Sequence, residues 1–336
     1  MRRLFKAGLW VCPLFLCANP EGFRLKAGDA KPPVSDGAGT VVIESGQKAI
    51  VEWDSFSIGE GEHVRFQQAG ADAAILNRVI GPAESAIFGR LSSNGAVYLI
   101  NPNGILIGPN GSVEAMSFIG STMDLLDRDF LEARGLCFQG GGLGEIVVQG
   151  EAKTAGGDLI LISRRVNNGG NLTADGGDVA LLSGTKILIQ PLGKRLIYIA
   201  PAAGVELDAL KVLASPYETA IRHSGKIEAR MVVSRGGEVY LIADEGASEV
   251  SGTIVAAKGD KGGHVEVLGE RVHLVGQARI DASGMTGGGE VLVGGDDQGQ
   301  NGEVKNALLT WAGKMVEVRA DALKNGKGGK VVFWGD

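Results

Sequence analysis

The side chains that could support metal chemistry are spread along the chain. It has four histidines, His63, His223, His264 and His273. They form neither the His-Glu-x-x-His pair of a helical zinc site nor a Cys/His ligand spacing. The segment 294–299, GGDDQG, resembles a calcium-binding nonapeptide only loosely, because its acids follow the paired glycines directly. We therefore predict no metal and no cofactor.

Two groups of charged residues could meet across neighbouring turns of a repeating fold: Arg279, Asp281 and Glu290, and Glu228, Arg235 and Glu238. Enzymes acting on polysaccharides use paired carboxylates as acid and base or nucleophile. A solvated charged face produces the same pattern, and no two adjacent carboxylates are set for such work. We predict that the chain is not an enzyme, and keep a polysaccharide-acting enzyme or carbohydrate-binding module as the alternative.

The segment 94–111, NGAVYLINPNGILIGPNG, has the clearest local pattern. Short apolar strands are predicted at 96–100 and 105–107, joined by the turn Asn101, Pro102, Asn103 and Gly104. The residue before a proline is pushed towards extended backbone, proline fixes its own φ, and Asn-Gly tolerates left-handed conformations. These four residues therefore predict a rigid corner, which we call the Asn-Pro-Asn-Gly corner.

A Gly-Gly-x phrase followed by an apolar run recurs through the second half, beginning at Gly156, Gly176, Gly236, Gly262, Gly288 and Gly328. The spacings lie near multiples of twenty with small insertions, which indicates stacked structural units. A short strand with one apolar face cannot bury that face alone, whereas coils stacked on each other can. We predict an all-β parallel β-helix. The segment 121–135 is predicted to leave it as a short helix or excursion, with helix start and stop signals at 127–135.

Composition limits the function further. The 336 residues include 54 glycines and carry a formal net charge of −6, and no basic cluster lies beyond the N-terminus. Nucleic-acid binding needs concentrated Lys and Arg, so we predict no nucleic-acid partner. Arg2, Arg3 and Lys6 precede an apolar run at 9–18 that is too short to span a membrane but suits a secretory signal. Cleavage between Ala18 and Ala30 would leave one cysteine, Cys137.

Several motifs around the corner resemble, in order, the N-terminal secretion domain of the filamentous haemagglutinin family, exported partners of bacterial two-partner secretion. They are 51–59 VEWDSFSIG, 64–66 VRF, 76–81 LNRVIG, 87–91 IFGRL and the corner itself. The resemblance covers roughly 40–126. The chain lacks the Asn-Pro-Asn-Leu motif of many members, and Asn77, Arg78 and Val79 lie in that upstream region instead.

The resemblance implies a right-handed, pectin-lyase-like single-stranded solenoid with an N-terminal cap. It also implies a dedicated outer-membrane β-barrel transporter with periplasmic POTRA-type modules, and export to the cell surface or medium of a Gram-negative-type bacterium. By this resemblance, the residues implied in secretion and transporter recognition are Asn101, Pro102, Asn103 and Gly104, with Asn77 and Arg78 upstream. An adhesive role implies a host receptor or glycan as a further partner.

We predict three segments: a signal peptide and leader at 1–30, a secretion-domain core at 31–150, and Gly-rich coils continuing at 151–336. The last phrase, 330–336 KVVFWGD, has no capping element after it. We therefore expect either a short member of the family or a gene interrupted soon after its secretion domain. A nonfunctional remnant of a longer adhesin is a third hypothesis for the function.

Overall fold

A computed structural model describes residues 19–132, 135–190, 219–232 and 236–336, and the backbone of 197–199. The chain there forms a parallel β-helix, as predicted. Its successive coils contribute to three sheet faces, which we call faces A, B and C. In this part of the chain no helix combines the length and the apolar character needed to cross a membrane.

Faces A and B begin on one long strand, β3 (Thr40–Trp53), whose two halves pair with different strands of the next coil. Face A continues through β4 (His63–Gln68), β7 (Arg90–Ser93), β10 (Ser112–Ala115), β15 (Glu151–Ala155), β18 (Asn171–Asp175), β23 (Lys226–Arg230), β26 (Thr253–Lys258), β30 (Arg279–Asp281) and β33 (Glu317–Arg319). Face B continues through β5 (Ala74–Val79), β8 (Ala96–Ile100), β11 (Ser117–Ser121), β16 (Leu159–Ile162), β19 (Val179–Ser183), β24 (Glu238–Ala243), β28 (His264–Leu268), β31 (Glu290–Val293) and β34 (Lys330–Phe333).

Face C closes each coil with a shorter strand. It contains β6 (Ser85–Ile87), β9 (Ile105–Ile107), β14 (Ile146–Val148), β17 (Val166–Asn168), β22 (Thr219–His223), β25 (Ala247–Val250), β29 (Arg271–Leu274) and β32 (Leu309–Ala312). Neighbours along each face pair in parallel, so equivalent side chains of successive coils stack directly. Inward positions such as Val97, Leu99 and Ile105 are fully buried and form one continuous apolar core.

The N-terminal end is closed by antiparallel strands, which confirms the predicted cap. β1 (Arg24–Ala30) and β2 (Val34–Ser35) both pair with β3. The β1–β3 ladder shifts register twice, between Leu25 and Ala27 and between Gly28 and Ala30. Such irregularities bend an edge strand and hinder further pairing. β1 lies inside the segment 1–30, so the fold begins within the predicted leader, whose residues 1–18 lie outside the described part of the chain.

An antiparallel sheet covers the outer side of face B. It is formed by β12 (Asp124–Leu125), β13 (Leu136–Gln139), β20 (Lys186–Ile189) and β21 (Ile197–Ile199), with α1 (Asp127–Glu132) between β12 and β13. The helix therefore confirms the predicted excursion. The apolar side chains of β13 and β20 pack with outward residues of face B, such as Ile100 and Ile160, in a second buried cluster. This layer explains why outward positions of face B are apolar.

The six Gly-Gly-x phrases lead into β16, β19, β24, β28, β31 and β34, which are consecutive strands of face B. Each interval is therefore one coil, and the interpretation of the longer intervals as multiples of twenty residues was wrong. The 60-residue interval contains the segment with β20 and β21. The 40-residue interval contains a loop with a 3₁₀ turn at Asp297–Gly299. Elsewhere, just before the phrase at Gly262, β27 (Lys261–Gly262) forms a small hairpin with β26.

The glycine pair itself has a steric reason. A Cβ atom at Gly263 would lie 2.0 Å from the carbonyl oxygen of Gly237, and one at Gly289 would lie 1.9 Å from that of Gly263. Both distances are far inside van der Waals contact. The bend between faces A and B thus requires glycine because successive coils approach through their backbones.

Candidate functional site

The Asn-Pro-Asn-Gly corner lies between β8 and β9, whose bounds agree with the predicted strands. The side chain of Asn101 is fully buried there. Its Nδ2 donates to the carbonyl of Ala83 at 3.0 Å and to the hydroxyl of Ser85 at 2.9 Å. Its Oδ1 accepts the backbone N–H of Asn103 at 2.9 Å, which is an Asx turn. Asn101 therefore ties the corner to the preceding coil.

The other corner residues continue this contact. Asn103 is exposed, yet its Nδ2 donates to the carbonyl of Gly81 at 2.8 Å. Gly104 has φ +123°, donates its N–H to the Asn101 carbonyl at 3.1 Å and accepts the N–H of Ser85 at 3.0 Å. The positive φ explains the preference for glycine at this position.

The following coil packs against the opposite side of the corner. The carbonyl of Pro102 accepts the N–H of Gly144 at 3.2 Å, and Ile105 donates its N–H to the carbonyl of Glu145 at 3.0 Å. A Cβ at Gly142 would lie 2.0 Å from the Pro102 carbonyl oxygen. The corner is thus enclosed by coils on both sides, and both of its side-chain amides are bonded within the fold.

Asn77 is on β5 and points into the core, where it is fully buried. Its Oδ1 accepts the indole N–H of Trp53 at 3.0 Å, and its Nδ2 donates to the carbonyl of Tyr98 at 3.2 Å. A buried amide and a buried indole satisfy each other in this way. The structure places Asn77 in a structural pair that crosses the first coils, away from the exposed Asn103.

Arg78 follows on the outer side of the same strand and fastens the excursion. Its guanidinium donates to Asp124 at 2.9 Å, to Asp127 at 2.9 Å and to the carbonyl of Leu125 at 2.7 Å. Only 11% of the Arg78 side chain is exposed. The guanidinium offers several donors in a fixed fork, so it can serve these three acceptors better than a lysine ammonium can.

A second contact orders the end of α1. Lys48, on β3, donates from Nζ to the carbonyls of Phe130 and Leu131 at 3.0 and 2.5 Å. The Phe130 ring meets the Tyr98 ring edge to face, with centroids 5.1 Å apart. Together with Arg78, these contacts hold the excursion against coils that precede it in sequence. They were missed from the sequence because each joins residues far apart along the chain.

The variable residues of the Gly-Gly-x phrases stack into one ladder along face B, which we call the polar ladder: Asp158, Asp178, Glu238, His264, Glu290 and Lys330. His264 contacts Glu266 at 3.0 Å and Glu290 at 3.1 Å. Burial lowers the pKa of His264, but the hydrogen bonds to Glu266 and Glu290 outweigh burial and raise this pKa to about 9. Burial and the nearby Asp158 and Glu238 raise the pKa of Asp178 to about 7.

The predicted enzyme-like groups are not assembled into one site. Arg279 and Asp281 are bonded to each other on face A, at 3.1 Å, whereas Glu290 is on face B with His264 and Lys330. Glu228 is on face A with Lys226 and Arg230. Glu238 is on face B, bonded to Tyr240 and Lys258, and Arg235 lies outside the described residues.

In the loosely calcium-like loop, the ammonium of a lysine contacts one of the acids, Asp296. Lys330 donates to Asp296 at 2.6 Å, and the other carboxylate oxygen accepts from Asn301 at 2.9 Å. The hydrogen bond from Lys330 lowers the pKa of Asp296 to about 2. Within the described ranges no three His, Cys, Asp or Glu residues are placed to hold a metal ion.

Comparison with known proteins decides the family. The family model described as the TPS secretion domain matches residues 24–284. The chain belongs to this family. The TPS secretion domain described here is similar to the crystal structure of the HMW1 secretion domain from Haemophilus influenzae, with 30% identity and a TM-score of 0.71 over 90% of this chain and 84% of that one. The filamentous hemagglutinin secretion domain has the same fold, with a TM-score of 0.60, 15% identity and coverage of 93% of this chain and 99% of that chain.

Curated relatives share a shorter stretch of the TPS secretion domain. Two heme/hemopexin-binding proteins of Haemophilus influenzae, one from strain Rd, are 39% identical over 84 residues and 35% identical over 107 residues. These matches cover 25% and 32% of this chain, but only 9% and 12% of those proteins. The resemblance recognised in the sequence is therefore confirmed. The role predicted for the corner, Asn77 and Arg78 stays a prediction.

Proposed function

We propose that this chain carries the export signal of a two-partner secretion exoprotein of adhesin type, and that a dedicated outer-membrane transporter recognises it. The observation that carries the proposal is the family match over residues 24–284. The proposed partner is a β-barrel with periplasmic POTRA-type modules. The proposed role is non-enzymatic, and a host receptor or glycan would be contacted only after export.

The proposed route begins with a secretory leader and ends at the cell surface or in the medium of a Gram-negative-type bacterium. We place signal cleavage before Arg24, because β1 pairs with β3 and contributes to the cap. Cleavage at Ala30 would remove this strand and expose the edge of β3. We further propose that the transporter needs the coils of the secretion-domain core, 31–150, and not those of 151–336.

The burial of the predicted motif residues constrains when the transporter can recognise them. Asn77 and Asn101 are fully buried in the folded domain, and Arg78 is nearly so. Their donors and acceptors are already bonded within the chain. A partner could contact these side chains only before the first coils close. We therefore propose that the transporter recognises these three residues in an extended chain, by pairing with an exposed strand, and that the corner then shapes the fold outside the cell. Asn103 is the corner side chain that stays exposed after folding.

An export experiment can separate recognition from stability. The Asn101→Ala/Asn103→Ala variant is compared with Leu241→Ala, a buried substitution on face B of a distal coil. The free energy of unfolding is measured for both, and a temperature is chosen at which both domains are equally stable. Export is then followed by surface protease accessibility and by immunoblots of periplasm and medium.

Greater periplasmic retention of the corner variant than of Leu241→Ala, at equal stability, supports recognition through the corner. Equal export of the two variants would overturn that role and leave the corner as a structural element. Wild type retained inside the cell under all conditions would contradict the secretion proposal itself.

A further inference from the structure

The corner contains an asparagine followed by glycine, and this pair has a chemistry of its own. We propose that Asn103 is a deamidation site that is open in the unfolded chain and closed by folding, so that a chain that stays unfolded too long loses its corner irreversibly. The inference concerns the chain itself and does not depend on the identity of any transporter.

The reaction needs only water. The backbone nitrogen of Gly104, after losing its proton, attacks Cγ of Asn103. A C–N bond forms and the bond from Cγ to the side-chain nitrogen breaks. That nitrogen takes up, through water, the equivalent of the proton lost from Gly104 and leaves as ammonia, so that a five-membered succinimide ring remains. Water then opens either carbonyl, giving aspartate or isoaspartate. Glycine favours the attack because no Cβ hinders the approach of its nitrogen. Asn101 cannot react this way, since Pro102 has no N–H.

Folding immobilises both reacting groups. The Gly104 N–H donates to the carbonyl of Asn101 at 3.1 Å, which opposes its deprotonation. The Asn103 carboxamide donates to Gly81 at 2.8 Å and to Oδ1 of Asn101 at 3.2 Å, so it is held by two acceptors. The bonds to Asn101 lie within the turn, whereas the bond to Gly81 is in place only when the corner has closed on the preceding coil. The reaction in the folded domain therefore requires local opening of the corner.

The product would not fit the same position. An ionised aspartate accepts hydrogen bonds but donates none, so it would face the Gly81 carbonyl and the Asn101 oxygen as a third acceptor. Isoaspartate also adds one main-chain carbon before Gly104. That residue has little room, since even a Cβ there would lie 3.0 Å from the Glu145 carbonyl oxygen. Deamidated chains should therefore close the corner poorly.

The chain offers matched comparisons for this chemistry. Asn110 also precedes a glycine, whose N–H donates to the carbonyl of Gly108 at 2.9 Å, as that of Gly104 does to Asn101. The side chain of Asn110, however, is exposed and makes one long contact, 3.3 Å to Glu60. Asn325 precedes Gly326, is exposed, and makes no side-chain hydrogen bond to the described residues. Asn103 and Asn110 fall in one tryptic peptide, 91–128, because no Lys or Arg lies between Arg90 and Arg128. Their reaction can therefore be compared within the same molecules.

The test incubates the full chain at mildly alkaline pH, either folded or held unfolded in urea, and measures deamidation of each asparagine by peptide mass spectrometry with fragmentation. Unfolded, Asn103 and Asn110 should react at similar rates. Folding should slow Asn103 by about tenfold or more. It should slow Asn110 less, because only the glycine N–H is held there and the carboxamide is not, and it should slow Asn325 least. Aged unfolded chains are then refolded, and the folded fraction should be depleted in molecules altered at Asn103 but not in those altered at Asn110.

Asn103→Asp provides the matched variant, with Asn110→Asp as its control. The first should lower the unfolding midpoint and the second should leave it nearly unchanged. Equal deamidation of Asn103 in folded and unfolded protein would overturn the proposal. So would an Asn103→Asp domain that refolds with the yield and stability of the wild type.

Discussion

Asn101 donates its side-chain amide to the hydroxyl of Ser85 at 2.9 Å, with both residues fully buried. This bond joins the corner of one coil to the first face C strand of the preceding coil. Because the same amide also reaches Ala83 and Asn103, one side chain fixes the corner and its neighbour together. A buried polar group with three partners is costly to remove, since its partners lose their bonds without regaining water.

Asn101→Ala should lower the free energy of unfolding by about 3 kcal/mol, because buried partners are left unsatisfied. Chemical denaturation of the purified domain measures the change. Asn110→Ala is the control at an exposed turn and should change the free energy by about 0.5 kcal/mol or less. Equal, small effects of the two substitutions would contradict the structural role of Asn101.

Arg78→Ala should free the excursion from the body of the β-helix, because three bonds to β12 and α1 disappear at once. Amide hydrogen exchange should accelerate in 124–132 and much less in the core strand β8. Arg78→Lys should restore only part of the protection, since an ammonium cannot reproduce the guanidinium fork.

Arg128→Ala is the matched control, because Arg128 is 76% exposed and contacts only the adjacent Asp129 among the ion pairs of the described residues. It should leave exchange in this segment unchanged. Acceleration of similar size in both variants would show that Arg78 is not the fastening residue.

The polar ladder predicts a stability that depends on pH. The pKa of His264 is raised by Glu266 and Glu290, so its contribution is present below about 6.5 and is lost as pH rises through about 9. Glu238 and Tyr240 on the preceding strand β24, and Lys330 on β34, complete its polar surroundings. The free energy of unfolding should therefore fall between these pH values, by up to about 3 kcal/mol.

The raised pKa of Asp178 also lowers the free energy of unfolding as pH rises, but it does so in a lower pH range. Its folded carboxyl binds a proton more tightly than the unfolded one, so its contribution falls as pH rises from about 4 to about 7. His264→Gln should flatten the curve only above pH 6.5 or so, and Asp178→Asn only below pH 7 or so. Unchanged curves in both variants would remove the ladder as their cause.

The glycine pairs can be tested by adding one methyl group. Gly289→Ala should destabilise the domain by about 3 kcal/mol or prevent its folding, because the new Cβ would meet the Gly263 carbonyl at 1.9 Å. Gly302→Ala has open space around its Cβ and should be nearly neutral. Thermal unfolding of the two variants provides the comparison, and a stable Gly289→Ala domain would contradict the close approach of coils.

The sequence predicted local features well where their cause is local. β8 and β9 follow from short apolar runs between turn residues, and their bounds agree with the structure. Each Gly-Gly-x phrase was correctly predicted to lead into a strand. The phrase recurs because each coil needs the same glycine bend before its face B strand. The polar ladder could have been found from the same phrases, by aligning the residue that follows each glycine pair.

Features set by long-range packing were not predicted. The segment that contains β20 lengthened one repeat interval. The apolar pattern of Ile187 and Ile189 does not differ from that of a β-helix strand, so only their pairing with β13 shows that they belong to the covering sheet. Arg78 was interpreted as part of a motif, whereas its acceptors lie 46 to 49 residues away.

We propose that this chain leaves the cell through a dedicated transporter. The most direct measurement follows the native chain in a bacterium from which the outer-membrane transporters of the two-partner type have been deleted one at a time, with immunoblots of periplasm, surface and medium. One deletion should confine the chain to the periplasm, and restoring that transporter should return the chain to the cell surface or the medium. Unchanged surface or extracellular chain in every deletion would contradict this proposal.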